Sequence, residues 1–317
     1  MLEQRFNLLN YFNSSVRKPK TGFTLVELLV AMVMAGIMVS VLLSIVINLL
    51  QTDQREASRN QTQIEMQSAM DYITSDLREA VYVYNDATKI KDYIPEFNSS
   101  YKPVLAFWKT NLISEELLKS LGNCSSFIEA TMQADCNNLL LKRSQYSLIM
   151  YLQSKNASNS IWRGQSRIMR YELPKYATIA KDKIEQSVGY VDPSQENTSF
   201  KNWPKDNLSD ISLQKARPRQ LNFPVLTDFV DSPDNNIKVP ICDQSNYSRT
   251  PPTSSKDLNT SFFACVRQEE AGFNQDVFIF VRGDAIGRPG TFGNGEFLPT
   301  LQTQVIVRGV IDKVPPQ

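Results

Sequence analysis

The stretch KPKTGFTLVELLVAMVMAGIMVSVLLSIVINLL occupies residues 18–50. From Phe23 to Leu50 its only strongly polar side chains are Glu27 and Asn48. A helix over these 28 residues would be about 42 Å long, whereas the hydrocarbon core of a membrane is about 30 Å thick. The stretch therefore predicts a helix that spans a membrane with tilt, or protrudes from it. The presence of Glu27 needs an explanation, because a carboxylate inside a membrane-spanning helix costs roughly 2.5–3.5 kcal/mol.

The charges on either side of this helix predict its orientation. Basic residues precede it, at Arg17, Lys18 and Lys20, so we expect a cytoplasmic N-terminus and export of the chain from about residue 51. A cleaved secretory signal has an apolar core of only about 7–15 residues and a small-residue cleavage site, and QTDQREAS (51–58) offers no such site. A plain signal anchor stays an alternative, although it explains neither Glu27 nor the sharp start after Gly22.

The segment KTGFTLVELLVAM (20–32) resembles the class III signal of type IV pilins and pseudopilins. That signal consists of a short basic leader, a glycine, a phenylalanine and a glutamate at the fifth mature position. The resemblance implies that a prepilin peptidase removes residues 1–22 by cutting between Gly22 and Phe23, and then methylates the amine of Phe23. It also implies that Glu27 pairs with the N-terminus of a neighbouring subunit during assembly, since a buried unpaired carboxylate is costly.

The helix is predicted to continue over residues 51–84, which are polar but contain neither glycine nor proline. Apolar side chains recur there at intervals of three and four residues, at Met66, Met70, Ile73, Leu77, Ala80 and Tyr84. This amphipathic pattern predicts one helix from Phe23 to about Val83 whose second half packs on a globular domain. A coiled-coil stalk is the alternative, but it would need more than three heptads.

Residues 85–317 are predicted to form an exported globular α+β domain. Five short apolar or alternating segments predict strands: VLAFW (104–108), YSLIMYL (146–152), SRIMRYEL (166–173), DVFIFV (276–281) and TQVIVRGVI (303–311). ISEELLKSL (113–121) predicts a short helix, and the polar stretch from about 181 to 261 predicts long surface loops. Strands that follow a long helix without regular alternation indicate an antiparallel sheet. The expected fold is thus α+β and type IV pilin-like, with the long N-terminal helix packed on that sheet.

The four cysteines, Cys124, Cys136, Cys242 and Cys265, predict disulfides if the domain is exported. Three pairings are available, and we favour the sequential one, Cys124 with Cys136 and Cys242 with Cys265, because both loops are short. Four buried free thiols are the alternative.

Composition excludes several kinds of chemistry. The chain has no histidine, which removes Ser-His-Asp and Cys-His catalysis and imidazole metal ligation, and no CxxC pair indicates zinc. We expect no catalytic residues, no metal and no cofactor. The net charge of +1 argues against a nucleic-acid partner. The basic runs at 162–170 and 215–220 are predicted to be solvated faces.

Two short motifs have simple structural interpretations. GDAIGRPGTFGNG (283–295) lacks the Lys-Ser/Thr pair of a phosphate loop, so a glycine-rich connection between strands is predicted. The tripeptide Arg282-Gly283-Asp284 is interpreted as a turn.

Within the family, MDYITSDLREAVYVY (70–84) is similar to J-class pseudopilins and PilW-like minor pilins, and VFIFVRGDAIGRPG (277–290) to cyanobacterial hormogonium polysaccharide secretion pseudopilins. The resemblance implies a non-enzymatic minor pseudopilin in the inner membrane, with its C-terminal domain outside the cytoplasm. Its partners would be the prepilin peptidase, other pilins or pseudopilins and an inner-membrane assembly platform. The alternatives are a minor pilin that binds DNA or glycan, and an exported enzyme tethered by its helix.

Overall fold

The computed structural model describes residues 22–96, 101–218, 223–234, 242, 246–252, 260–268, 274–291 and 298–309. The chain divides into two compact units, Met1–Asp53 and Gln54–Gln317. The leader residues Arg17, Lys18 and Lys20 lie outside the described residues.

A long N-terminal helix, α1, covers Leu25–Arg78, and in the second unit it buries the predicted stripe from Met66 to Leu77. It ends at Arg78, so the prediction of a helix to about Val83 was wrong. Residues Ala80–Val83 instead form a strand, β1. The valine and tyrosine side chains of this segment favour strand, and β1 pairs with a longer neighbour that satisfies its backbone. Ala80 and Tyr84 are buried as predicted, although neither belongs to the helix.

The second unit contains ten further strands and two short α-helices among the described residues. In chain order these are β2 Tyr101–Leu112, α2 Glu115–Leu121, α3 Ala130–Lys142, β3 Ser144–Lys155, β4 Ser166–Pro174, β5 Tyr176–Ala180, β6 Lys183–Gln186, β7 Val225–Val230, β8 Tyr247–Thr250, β9 Phe262–Arg267, β10 Asp276–Val281 and β11 Leu301–Ile306. Ala87–Tyr93 and Cys124–Ser126 form 3-10 helices.

The strands form three sheets in which every pairing is antiparallel. Their orders are β1-β2-β3-β4-β7, β11-β10-β9-β8 and the hairpin β5-β6. The predicted α+β fold, a long helix followed by an antiparallel sheet domain, is confirmed. The five predicted strands correspond to β2, β3, β4, β10 and β11, and the predicted short helix corresponds to α2.

The five-stranded sheet is buried on both faces. One face packs with the α1 stripe and with the four-stranded sheet, and the other packs with Tyr84, Phe200 and Trp203. This explains why Val104–Trp108 is a continuous apolar run without alternation, since both sets of side chains are buried. The stretch 181–261 was predicted to be surface loops, but it contains β6, β7, β8 and the buried Phe200 and Trp203, so that prediction was too simple.

Both disulfides of the sequential pairing are present. Cys124 is joined to Cys136, and Cys242 is joined to Cys265, which lies in β9. The first bond ties the 3-10 turn after α2 to α3, a helix that the sequence analysis missed.

A side-chain amide joins the two large sheets at the edge of β1. Gln275 Oε1 accepts a hydrogen bond from the Val83 backbone N–H at 2.9 Å, and Gln275 Nε2 donates to the Val83 carbonyl at 3.0 Å. The Gln275 side chain therefore occupies, at this residue, the place that a neighbouring strand would take. All four groups are buried, so the pair both seals the edge and fixes the second sheet against the first.

Asp76, near the C-terminal end of α1, lies at the centre of a buried ionic cluster. Its carboxylate accepts hydrogen bonds from Lys109 Nζ at 2.8 Å, Arg170 Nε at 2.8 Å and the Tyr151 hydroxyl at 2.6 Å. Burial raises the pKa of Asp76, but the hydrogen bonds from these three groups outweigh burial and leave that pKa below its usual value. The cluster thus fastens the end of the helix to β2, β3 and β4 with an ionised carboxylate.

We predict that Gln275→Met lowers the free energy of unfolding by about 2 kcal/mol, because it leaves a buried N–H and a buried carbonyl of Val83 without partners. Chemical denaturation of the full chain in detergent micelles measures the change. Gln302→Met, at an exposed position of β11, is the matched control and should change stability by no more than about 0.5 kcal/mol. Equal stabilities of the two variants would contradict the role given to Gln275.

We predict that Asp76→Asn destabilises the protein by roughly 3 kcal/mol at pH 7, because Lys109 and Arg170 lose a buried counter-charge. Because the folded-state pKa of Asp76 is lowered, the ionised carboxylate stabilises the fold above its unfolded pKa of about 3.9. This contribution disappears as the pH falls through the lower, folded-state pKa.

Unfolding free energies measured between pH 7 and pH 2 should therefore differ between wild type and Asp76→Asn by a constant amount above about pH 4 and begin to converge below it. The exposed Asp71 of the same helix, changed to Asn, serves as the control. A constant difference between wild type and Asp76→Asn over this pH range would show that the cluster does not act through the charge.

Candidate functional site

The start of α1 carries the residues that the sequence analysis singled out. The Glu27 backbone N–H donates to Thr24 Oγ1 at 3.3 Å, and the Leu28 N–H donates to the Thr24 carbonyl at 3.2 Å. Thr24 is therefore the N-cap, and Glu27 stands at the third helical position. This is the spacing of a capping box, in which the cap is Ser or Thr and the third residue is Glu or Gln. The pattern Thr24-x-x-Glu27 is visible in the sequence, although the helix start was predicted without it.

The helix start gives Glu27 a local role besides the one implied by the resemblance. A carboxylate in the first turn interacts favourably with the positive end of the helix dipole, by about 0.3–1 kcal/mol where it is exposed. A glutamine would serve equally well in the capping pattern but would carry no charge. A glutamine variant therefore separates the capping role of this side chain from the roles that need its charge.

The bond between Gly22 and Phe23 lies ahead of the helix, in a segment without regular structure. Gly22 is exposed, and a Cβ built on it would meet no atom within 4 Å. Phe23 is 81 % exposed. Both sides of this peptide bond are thus accessible, as a proteolytic site requires.

The first half of the helix presents apolar side chains in every direction. All residues from Phe23 to Leu50 are exposed, and the most apolar window of α1 has a mean hydropathy of 2.7 with none of it buried. A helix that is apolar all round is stable only when lipid or other protein covers it. By length and composition α1 is able to cross a membrane.

The glycine-rich segment after β10 contacts the second half of α1. Pro289 accepts a hydrogen bond on its carbonyl from the Ser58 hydroxyl at 2.6 Å. Gly290 has a φ of +81°, and a Cβ there would lie 2.8 Å from Cβ of Gln54. The described part of this segment, residues 283–291, is a connection between β10 and β11, as predicted, and it packs closely on the helix; residues 292–295 lie outside the described residues.

Arg282 and Asp284 are buried, so the interpretation of this tripeptide as a turn was wrong. Arg282 forms an ion pair with Asp231 at 2.7 Å, and Asp284 accepts a hydrogen bond from Gln165 at 2.6 Å. Gly283 pairs with Val230 in an isolated β-bridge. The three residues therefore hold β10 against β7 and present no exposed motif.

The basic run 162–170 was predicted to be a solvated face, but two of its arginines bind other side chains of the domain. Arg170 belongs to the Asp76 cluster, and Arg167 donates to the Asn156 side chain. In the run 215–220, Arg217 lies 3.9 Å from Asp92, and residues 219–220 fall outside the described residues. Within the described part of the chain, no group of three His, Cys, Asp or Glu side chains is placed to hold a metal ion.

Comparison with protein families gives one match in this region. Residues 17–43 match the family described as the prokaryotic N-terminal methylation motif, and the match includes Gly22, Phe23 and Glu27. No curated protein and no solved structure matches the chain. The chain therefore carries a signal similar to that of type IV pilin-like prepilins, and this signal extends into an exposed apolar helical segment of membrane-spanning length.

Proposed function

We propose that this protein is a minor pseudopilin, a structural subunit that primes or joins a type IV pilus-like or type II secretion-like filament in support of secretion or motility. The observation that carries the proposal is the methylation motif at residues 17–43, which runs into a helix whose first half, to Leu50, is apolar and exposed on all sides. Lipid would cover this apolar surface before assembly, and neighbouring helices would cover it afterwards. A mature chain of 295 residues (317 minus 22) is large for a major pilin and favours a minor component.

In this proposal the prepilin peptidase cuts after Gly22 and methylates Phe23 on the cytoplasmic side of the inner membrane. The basic leader residues Arg17, Lys18 and Lys20 hold the N-terminus there, and residues 23–50 span the membrane. The folded unit Gln54–Gln317 then lies on the outer side, where disulfides form. An inner-membrane assembly platform and other pilins are the partners that this arrangement requires.

The charge of Glu27 favours a particular contact between subunits. Residues 23–50 contain no lysine and no arginine. When such segments pack together, the cation available within them is the amine that cleavage creates at Phe23. A carboxylate buried without a partner is strongly unfavourable, so pairing of Glu27 with the Phe23 amine of a neighbour would select one axial register.

We predict that the protein isolated from its native membrane yields an N-terminal peptide that begins at Phe23 and carries one additional methyl group. Peptide mass spectrometry measures this directly. Gly22→Val should retain the leader, because a branched side chain would occupy space next to the cleaved bond. Gly36→Val is the matched control, since a Cβ at Gly36 also meets no atom within 4 Å, and its leader should be removed normally.

A wild-type chain that still starts at Met1 in cells with an active prepilin peptidase would overturn the proposal. The protein would then be a signal-anchored exported domain.

We predict that Glu27→Gln leaves cleavage and methylation intact but reduces incorporation into filaments at least tenfold. Glutamine keeps the capping pattern with Thr24 and removes the charge that the neighbouring amine needs. Incorporation is measured by immunoblotting of sheared filaments against total membrane protein. Glu56→Gln, an exposed glutamate of the same helix beyond the apolar segment, should assemble like wild type. Normal assembly of Glu27→Gln would rule out pairing through this carboxylate.

A further inference from the structure

The outer edge of β11 presents backbone groups that pair with no described residue. β11 lies at one end of the four-stranded sheet, and all six of its residues pair with β10 in one antiparallel register. The Val307 N–H donates to the Gln275 carbonyl at 2.9 Å and extends this register by one position. In an antiparallel pair, residues that bond to the partner strand alternate with residues that bond away from it. The odd-numbered residues of β11 therefore bond to β10.

The next pair of strands supports this assignment. The Arg282 N–H donates to the Ser261 carbonyl at 2.8 Å, one position beyond the register of β9 and β10. The even-numbered residues of β10 thus bond to β9, and its odd-numbered residues bond to β11. The backbone N–H and C=O groups that point to the open edge of β11 belong to Gln302, Gln304 and Ile306.

The open edge of β11 lacks the features with which proteins usually protect an edge strand. Such features are charged side chains, proline, a β-bulge or a covering segment. The strand has the sequence LQTQVI, with no charge and no proline, and its pairing with β10 contains no bulge. Ile306 is 68 % exposed. A strand of this kind readily pairs with a further strand.

The other outer edges of the two large sheets are protected. At β1 the side chain of Gln275 occupies both backbone groups of Val83. At β7 the Phe229 carbonyl accepts a hydrogen bond from the Asp284 N–H at 2.8 Å. β8 has only four residues, and prolines follow it directly at positions 251 and 252. The contrast indicates that the edge of β11 is an interface.

We propose that β11 pairs with β11 of a second copy of this chain, antiparallel and about a two-fold axis at Gln304. In this register Gln304 faces Gln304 of the partner subunit, and Gln302 faces Ile306 of the partner subunit. Each of these residues exchanges both backbone hydrogen bonds with the residue opposite. All six outward backbone groups of each strand, one N–H and one C=O from three residues, thus find partners. The two four-stranded sheets become one continuous sheet.

Charge and order both favour a second copy over a free peptide. Because β11 carries no charge, like charges do not meet along the pair. The exposed Arg308 lies beyond the strand, and the two copies of it would be eight positions apart, about 26 Å. A free peptide loses conformational entropy when it is ordered, whereas β10 already holds β11 as a strand in both copies.

The contact is small, so we expect a reversible dimer. Six residues a side are fewer than the roughly 20–30 residues a side of a stable interface. The proposal concerns the unit Gln54–Gln317 and holds whether or not the leader is removed.

Cysteine cross-linking of the full chain in detergent micelles tests the register. Residues opposite each other in a hydrogen-bonded antiparallel pair have Cα atoms about 5.5 Å apart, which is within disulfide reach. Under mild oxidation Gln304→Cys should therefore form a disulfide between two copies, identified by mass spectrometry of the linked peptides. Gln302→Cys is the matched control. Its two copies would be four positions apart along the strands, about 13 Å, and should cross-link at least tenfold less.

A proline substitution tests whether the backbone of β11 makes the contact. Gln304→Pro removes an outward N–H and no hydrogen bond to β10, so the sheet should tolerate it. Gln304→Ala is the control, because both variants lose the hydrogen bond from Gln304 Nε2 to Asp276 at 2.8 Å. Size-exclusion chromatography with light scattering should show a concentration-dependent dimer for wild type and Gln304→Ala, and at least tenfold weaker dimerisation for Gln304→Pro. Thermal unfolding checks that both variants are folded.

Three results would overturn the proposal. The first is a wild-type chain that stays monomeric. The second is equal cross-linking of the two cysteine variants. The third is equal dimerisation of the proline and alanine variants, which would assign the dimer to another surface such as the apolar helix. A dimer that forms only when the chain is truncated after Gly309 would show instead that residues 310–317 occupy the edge, and it would overturn the proposal as well.

Discussion

The buried carboxylate of Asp76 fixes where helix α1 ends and where the sheet begins. It joins the helix to Lys109, Arg170 and Tyr151, which lie in three adjacent strands of the five-stranded sheet. With this end fixed, the chain turns directly into β1, and the Val83 backbone at the edge of β1 meets the side chain of Gln275. The second sheet is thus positioned through the first. The ion-paired carboxylate links the helix to the sheet through directional hydrogen bonds, which apolar packing does not supply.

The local patterns of the sequence were sufficient for several of the elements but not for the way they meet. The spacing from Met66 to Leu77 predicted the buried helix face, and the run Val104–Trp108 predicted a strand, which the fold buries on both faces. The predicted end of the helix was wrong because Ala80 and Tyr84 continue the helical spacing of apolar residues. Both side chains are buried, but Ala80 belongs to β1 and Tyr84 follows that strand. The pair Asp76–Arg170 spans 94 positions, and no local pattern relates two such residues.

The methylation motif and the Asp76 cluster differ in the same respect. Gly22, Phe23 and Glu27 lie within one continuous segment that matches the motif, so their spacing alone carries the information. The Asp76 cluster takes Lys109, Tyr151 and Arg170 from three different strands. Only the fold brings these side chains together. The region around Phe200 and Trp203 was likewise predicted to be a surface loop, because these two buried side chains belong to no periodic pattern.

The division of the chain into two units bears on the proposed assembly. Residues 23–50 offer a neighbour an apolar surface, and many apolar helices would pack against such a surface equally well. Discrimination between partners needs groups that penalise a wrong one, such as charges and buried hydrogen-bonding groups. Glu27 and Asn48 are the strongly polar side chains of residues 23–50, whereas the unit Gln54–Gln317 carries many charged side chains. In the proposed filament, residues 23–50 would therefore supply most of the apolar contact area, and the surface of the folded unit would add most of the groups that select neighbours.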